Sequence, residues 1–130
     1  MVNTSAAYNI RGIDHTIPSG ADVSAGLNCM AALDANGKAV IAAAATTVTI
    51  GVFTNAPSAA DREAVIGSSG IYACKTGTGT INEGDRLTVD SSGRVIATTN
   101  ANDWISGIAL GTSTAADQYI PVRVGPFGNL

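Results

Sequence analysis

The stretch "LDANGKAV", beginning at Leu33, returns 56 positions later as "VDSSGRVI", beginning at Val89. The echo continues without a gap: Asp34, Gly37, Gly51, Ala59, Ala60 and Asp61 recur as Asp90, Gly93, Gly107, Ala115, Ala116 and Asp117. Lys38 becomes Arg94, Val40 becomes Ile96, Val52 becomes Ile108 and Ser58 becomes Thr114. Upstream, "VSAG" (Val23 to Gly26) matches "INEG" (Ile81 to Gly84) once two residues slip. A solenoid needs about three stacked units. Two copies therefore point to a pseudo-twofold duplication inside one small domain. The expected organisation is an N-terminal arm, 1–17, and a single β domain, 18–130, with pseudo-repeats at about 23–70 and 81–124. A chain of 130 residues can bury a core without disulfide or metal staples.

Runs rich in Val, Ile and Thr alternate with Gly, Asn, Asp and Ser clusters at intervals of about 8–12 residues, the rhythm of a small all-β barrel or sandwich. Strands are predicted at Tyr8–Ile13, Leu27–Leu33, Lys38–Ala42, Thr47–Phe53, Glu63–Ile66, Gly70–Thr76, Arg86–Val89, Arg94–Thr98, Trp104–Leu110 and Gln118–Val124. Only "NAPSAADRE" (Asn55 to Glu63) is suited to a helical turn, and no sustained 3.6-residue apolar period occurs. "DANG" and "DSSG" are turn sequences: Asp34 and Asp90 can bond their own backbone, while Gly37 and Gly93 supply positive φ. Each joins two strands into a hairpin. The following strand of each copy places Val48, Ile50 and Val52, or Trp104 and Ile108, on one face. Gly51 and Gly107 sit at matching mid-strand positions, where glycine marks a bulge or a close backbone approach. What the copies share is turn and bend chemistry, which points to architecture rather than catalysis.

Charged residues make up only 13% of the chain, about half the usual share. Such a surface suits a protein partly covered by other protein. The net charge of −3 comes with two lysines and five scattered arginines, so no cationic cluster is available to neutralise phosphates or address a membrane. The start "MVNTSAAYNI" carries no secretory pattern, and "AVIAAAATTVTIGVF" is too short and too rich in Ala and Thr for a spanning helix. Synthesis in the cytoplasm is expected. Cys29 and Cys74 are not spaced as metal ligands. Cys29 falls in the alternation Leu27, Cys29, Ala31, Leu33, read as a buried strand face, and both cysteines are expected to be reduced.

Motifs for chemistry fail one by one. His15, beside Asp14, has no G-x-S-x-G or comparable nucleophile motif. "CKTGTGT" resembles a β-lactamase K-T-G element, yet no S-x-x-K accompanies it. Gly77 and Gly79 lack the third glycine of a dinucleotide loop, and Lys38 lacks the Ser or Thr of a phosphate loop. "DANG" is too short for a calcium loop. The expectation is no enzyme, no catalytic residues, no cofactor and no metal. "INEGDRL" resembles a phrase of biotinyl and lipoyl carriers, but Lys38 is duplicated as Arg94, which cannot be acylated.

Taken in order, "ADVSAG", "NGKAV", "TIGVF", "GIYACKTGTGTINEGDRLTVDSSGRV", "ISGIAL" and "YIPVRV" resemble the capsid cement (decoration) proteins of tailed bacteriophages, from about Ala21 to Val124. "SAAD" and "TAAD" depart from the family's commoner Gly-centred turn. The resemblance implies a structural virion protein on the outer capsid surface, a homotrimer at threefold and quasi-threefold points that clamps the major capsid protein. In that role the arm would grip the capsid through Tyr8, Ile10, Ile13 and Ile17, ahead of a hinge at Pro18 and Gly20. The competing expectation is that Tyr8–Ile13 is the first strand of the domain itself. The alternative function is a virion or host β-module that binds a cell-surface ligand, although only six aromatic residues are present to build a glycan groove.

Overall fold

A computed structural model of the chain describes residues 10–125, 127 and 128. The described residues form β1 (Ile10–Pro18), a single 3-10 turn (Ser24–Gly26), β2 (Met30–Leu33), β3 (Ala39–Ile41), β4 (Gly51–Asn55), β5 (Glu63–Lys75), β6 (Arg86–Val89), β7 (Val95–Ala97), β8 (Gly107–Ala109) and β9 (Tyr119–Val124). No α-helix occurs among them. The strands build one antiparallel sheet in the order β3-β2-β4-β5-β9-β8-β6-β7, with β1 added on β5, and the sheet curls as a half-barrel.

The duplication reappears in the strand register. Ala31 pairs with Ile41 and Leu33 with Ala39; 56 positions on, Leu87 pairs with Ala97 and Val89 with Val95. Met30 faces Val52 and Ala31 faces Gly51, as Arg86 faces Ile108 and Leu87 faces Gly107. Phe53 faces Ile66, as Ala109 faces Val122. The equivalence also reaches upstream with a slip of one residue. β1 meets the first half of β5, with Ile17 opposite Ala64, as the second half of β5 meets β9, with Cys74 opposite Ile120. Just past these strands, parallel bridges join Ser19 to Ala39 and Thr76 to Val95. They draw the ends of each curled unit together. β5 thus belongs to both copies.

Each unit has its own interior. In the first, Val23, Ala31, Ala39, Phe53, Ala64 and Ile66 are buried, with Ile17 packed against them. The corresponding residues of the second are Ile81, Leu87, Val95, Ala109, Ile120, Val122 and Cys74, all buried. Phe53 becomes Ala109 while Ala31, Ala39 and Ala64 become Leu87, Val95 and Ile120. Volume is exchanged between positions rather than lost, the kind of change a close-packed core tolerates. The second interior merges with a further layer, Met30, Ala32, Ala42, Val52, Tyr72, Val89 and Val124, where the copies meet.

Several local expectations are corrected. Glu63–Ile66 and Gly70–Thr76 are one strand, β5. The intervening Gly67-Ser68-Ser69-Gly70 has a turn's composition, but ladder partners on both sides hold it extended. Gly67 pairs with Asp14 and Val52, Ser69 with Ile13, and Gly70 with Val124. Between β4 and β5 the 56–62 segment is bend and turn rather than helix. Leu27 and Leu33 are 47% and 49% exposed, so they do not share a buried face with Cys29 and Ala31. Asn28 takes φ +64° and sets Leu27 outside the strand, since β2 begins only at Met30 and ends at Leu33. Val48 is exposed, since β4 begins at Gly51. Trp104 and Ile108 are half-buried, whereas Ile105 and Ala109 are the covered residues of that stretch.

Candidate functional site

The repeated polar residues hold turns. Asp34 Oδ1 accepts the backbone N–H groups of Asn36 (2.8 Å) and Lys38 (3.0 Å), and Asp90 Oδ1 accepts those of Ser92 (2.9 Å) and Arg94 (3.0 Å). Gly37 and Gly93 take φ of +76° and +77°, the left-handed conformation that such a turn demands. Asp61 and Asp117 both adopt φ +62°, and each meets the cation 23 residues before it. Lys38 pairs with Asp61, and Arg94 Nη1 donates to Asp117 Oδ1 at 3.2 Å while its Nε donates to Asp90 Oδ2 at 2.9 Å. Asp61 raises the pKa of the Lys38 ammonium; Asp117, and then Asp90, do the same for the Arg94 guanidinium. Pairs this exposed contribute little stability. They fix where the turn lies against its neighbour. The repeated spacing between "GK" or "GR" and "AAD" is the signal in the sequence that marks these pairs.

Ser19 and Thr76, one residue out of step with the rest of the repeat, do equivalent work. Ser19 Oγ donates to the Ala59 carbonyl at 2.7 Å, and Thr76 Oγ1 donates to that of Ala115 at 2.9 Å. In the sequence the one-residue slip hides this match.

The four apolar residues assigned to the arm part company. Tyr8 lies outside the described residues. Ile10 pairs with Ile71 in the β1–β5 ladder. Ile13 is 57% exposed, whereas Ile17 packs against the first core. β1 is fastened by Tyr72, whose buried hydroxyl donates to Asp14 Oδ1 at 2.7 Å. Beside β1 opens a groove of about 470 Å³ whose wall includes Ile13, His15, Ser68, Ser69 and Ser106. Two of these serines are already committed. Ser68 Oγ donates to the Ile13 carbonyl at 3.0 Å, and Ser106 Oγ accepts from Thr49 at 2.8 Å. The groove is mostly apolar, with Ile13, Ile50 and Val124 in its wall beside these hydroxyls, and is not a nucleophile with its base.

Cys29 and Cys74 are buried free thiols. Burial raises the pKa of both, which makes the reactive thiolate scarce. Among the described residues no cluster of three or more His, Cys, Asp or Glu side chains could hold a metal ion. No helix there is long and apolar enough to cross a membrane.

A family model described as phage cement protein matches residues 12–124. Among solved structures, the head fiber gp8.5 N base of bacteriophage phi29 is similar, with a TM-score of 0.68 and 16% sequence identity. The match covers 91% of this chain and 98% of that one. At that identity the likeness is one of fold. No curated protein sequence matches the chain.

Proposed function

The chain belongs to the phage cement proteins, and from that premise we propose that it coats the outer surface of a phage head. It binds there as a homotrimer at threefold and quasi-threefold points and ties neighbouring major capsid subunits together. The family is one of structural capsid proteins rather than enzymes. The match over residues 12–124, which takes in both copies, carries the reading. The use of the duplicated polar residues in turns and turn-fixing ion pairs supports it. In this role the protein is made in the host cytoplasm and assembles onto the shell, and its acidic balance disfavours contact with packaged DNA.

The N-terminal segment through the first half of β1 is the proposed capsid contact, with Tyr8, Ile10 and Ile13 as apolar anchors. β1 pairs in the sheet with β5, so its outer edge can take a strand from a capsid subunit by backbone pairing. Ile17 instead anchors β1 to the protein's own interior.

Cosedimentation with heads that lack their cement protein tests the proposal. Saturable binding and greater resistance of the heads to heating are expected. Ile13→Asp should lower the affinity for heads about tenfold, a loss of about 1.4 kcal/mol. Its unfolding midpoint should hardly move, since Ile13 is exposed. Binding to a glycan array with none to heads would replace this reading with that of a cell-surface-binding module.

A further inference from the structure

The two turns of the duplication have different surroundings. In the second copy the turn is seated: the Met30 N–H donates to the Gly93 carbonyl at 2.8 Å. A Cβ on Gly93 would meet Ile41 Cγ2 at 2.7 Å and the Met30 and Ala42 carbonyl oxygens at 3.1 and 3.2 Å. This turn plugs a socket on the first copy. Among the described residues the reverse contact is not made. Gly37, the counterpart of Gly93, would place a Cβ with nothing inside 4 Å, and Ala35 and Asn36 beside it are exposed. The socket residues Met30, Ile41 and Ala42 correspond to Arg86, Ala97 and Thr98. At that place lies a hollow of about 180 Å³ lined by Asp85, Ala97, Thr98 and Thr99. A head-to-tail contact between two copies leaves one plug and one socket over, and another molecule can use them.

We propose that the Asp34–Lys38 turn of one chain docks into the Asp85–Thr99 hollow of a second copy of the same chain. This repeats between molecules the contact that Gly93 makes within one. Charge favours it. In the internal contact Ser92 and Arg94 share a concavity with Cys29; their counterparts are Asn36, Lys38 and Asp85. Docking therefore brings the Lys38 ammonium and the Asn36 amide to the Asp85 carboxylate. Asp85 Oδ2 accepts the Asn82 N–H at 2.8 Å, and Oδ1 is not part of that bond. Lys38 is held by Asp61 as Arg94 is held by Asp117, so the cation is already positioned. The proposal concerns the chain with itself in solution and does not depend on capsid binding.

Because the contact is head-to-tail, mixing distinguishes it from a symmetric one. Asn36→Trp, too bulky for the hollow, spoils the plug, and Asp85→Lys spoils the socket. In sedimentation over a concentration series, each variant alone should show a dissociation constant raised at least about tenfold. An equal mixture should form one-to-one heterodimers and stop there, since one intact plug and one intact socket remain. If Asp85→Lys loses its cooperative melt, Thr99→Trp, on the exposed wall of the hollow, takes its place. Carbodiimide coupling of wild-type protein should link Lys38 to Asp85 in the multimer fraction. A wild-type chain that is monomeric throughout, variants that associate like wild type, or a mixture no more associated than its components would each overturn the proposal.

Discussion

Gly51 and Gly107 stand at one register position and meet different neighbours. Gly51 takes φ +144°, and a Cβ there would lie 2.3 Å from the Gly67 carbonyl oxygen. At Gly107 a Cβ would lie 2.4 Å from Val122 Cγ1 and 2.9 Å from the Arg123 carbonyl oxygen. Valine at either position should destabilise the fold by about 1–3 kcal/mol. Gly51→Val should be the worse, because a backbone carbonyl and a left-handed φ yield less than a rotatable methyl. Denaturant midpoints of the two variants give the order, and unchanged stability in both would refute the close approach at this position. Tyr72 makes a second residue-level case. Burial first, and then its bond to Asp14, raise its pKa from the ordinary 10.0. The folded state therefore keeps a proton that the unfolded state releases, so stability falls as pH rises past about 10. Tyr72→Phe should lose about 1 kcal/mol at neutral pH and flatten that alkaline decline. Urea titrations on either side of the tyrosine range would measure both effects.

Among the elements, the two interiors solve one packing problem with different side chains. Phe53 fills in the first copy the space that Leu87, Val95 and Ile120 share in the second. Phe53→Ala should therefore cost about 3–5 kcal/mol. Adding Ala31→Leu, which imports the second copy's residue at the matching position, should recover at least about 1 kcal/mol through coupling of the two sites. A double variant no more stable than Phe53→Ala would show that the interiors are not interchangeable. β5 belongs to this scale as well. One strand that ends the first unit and opens the second makes the units a continuous sheet, so unfolding should be a single transition rather than two.

At the scale of the whole molecule, the sparse charge and the outer edge of β1 favour closed rotational assembly, which covers edges that would otherwise pair at random. Light scattering should give about three times the chain mass of 13.0 kDa for the proposed trimer. A monomer mass at every concentration would confine any trimer to the capsid surface and would also end the turn-and-hollow contact. The unequal fate of the turns suits such an assembly. The seated turn joins the copies within a chain, and the open one remains for a neighbour.

The duplication, the hairpins at Asp34–Gly37 and Asp90–Gly93, the all-β character and the family resemblance were legible in the sequence. Turn chemistry is local: an aspartate that bonds its own backbone and a glycine at positive φ act within four or five residues, whatever surrounds them. The structure decided what depends on distant partners. Gly67 to Gly70 has a turn's composition, yet β1, β4 and β9 hold it in one long strand. Leu27 and Leu33 fit an alternating pattern, yet the left-handed Asn28 sets Leu27 outside β2, and Leu33 stands exposed at its end. The pairing of Lys38 with Asp61, the Tyr72–Asp14 bond that fastens β1, and the match of Ser19 to Thr76 all join residues far apart in the chain. Gly37 and Gly93 have the same backbone conformation and nearly the same flanking sequence. Only tertiary packing, which brings the second copy's turn onto Met30 and leaves the first copy's turn bare, makes one of them a buried joint and the other a free surface.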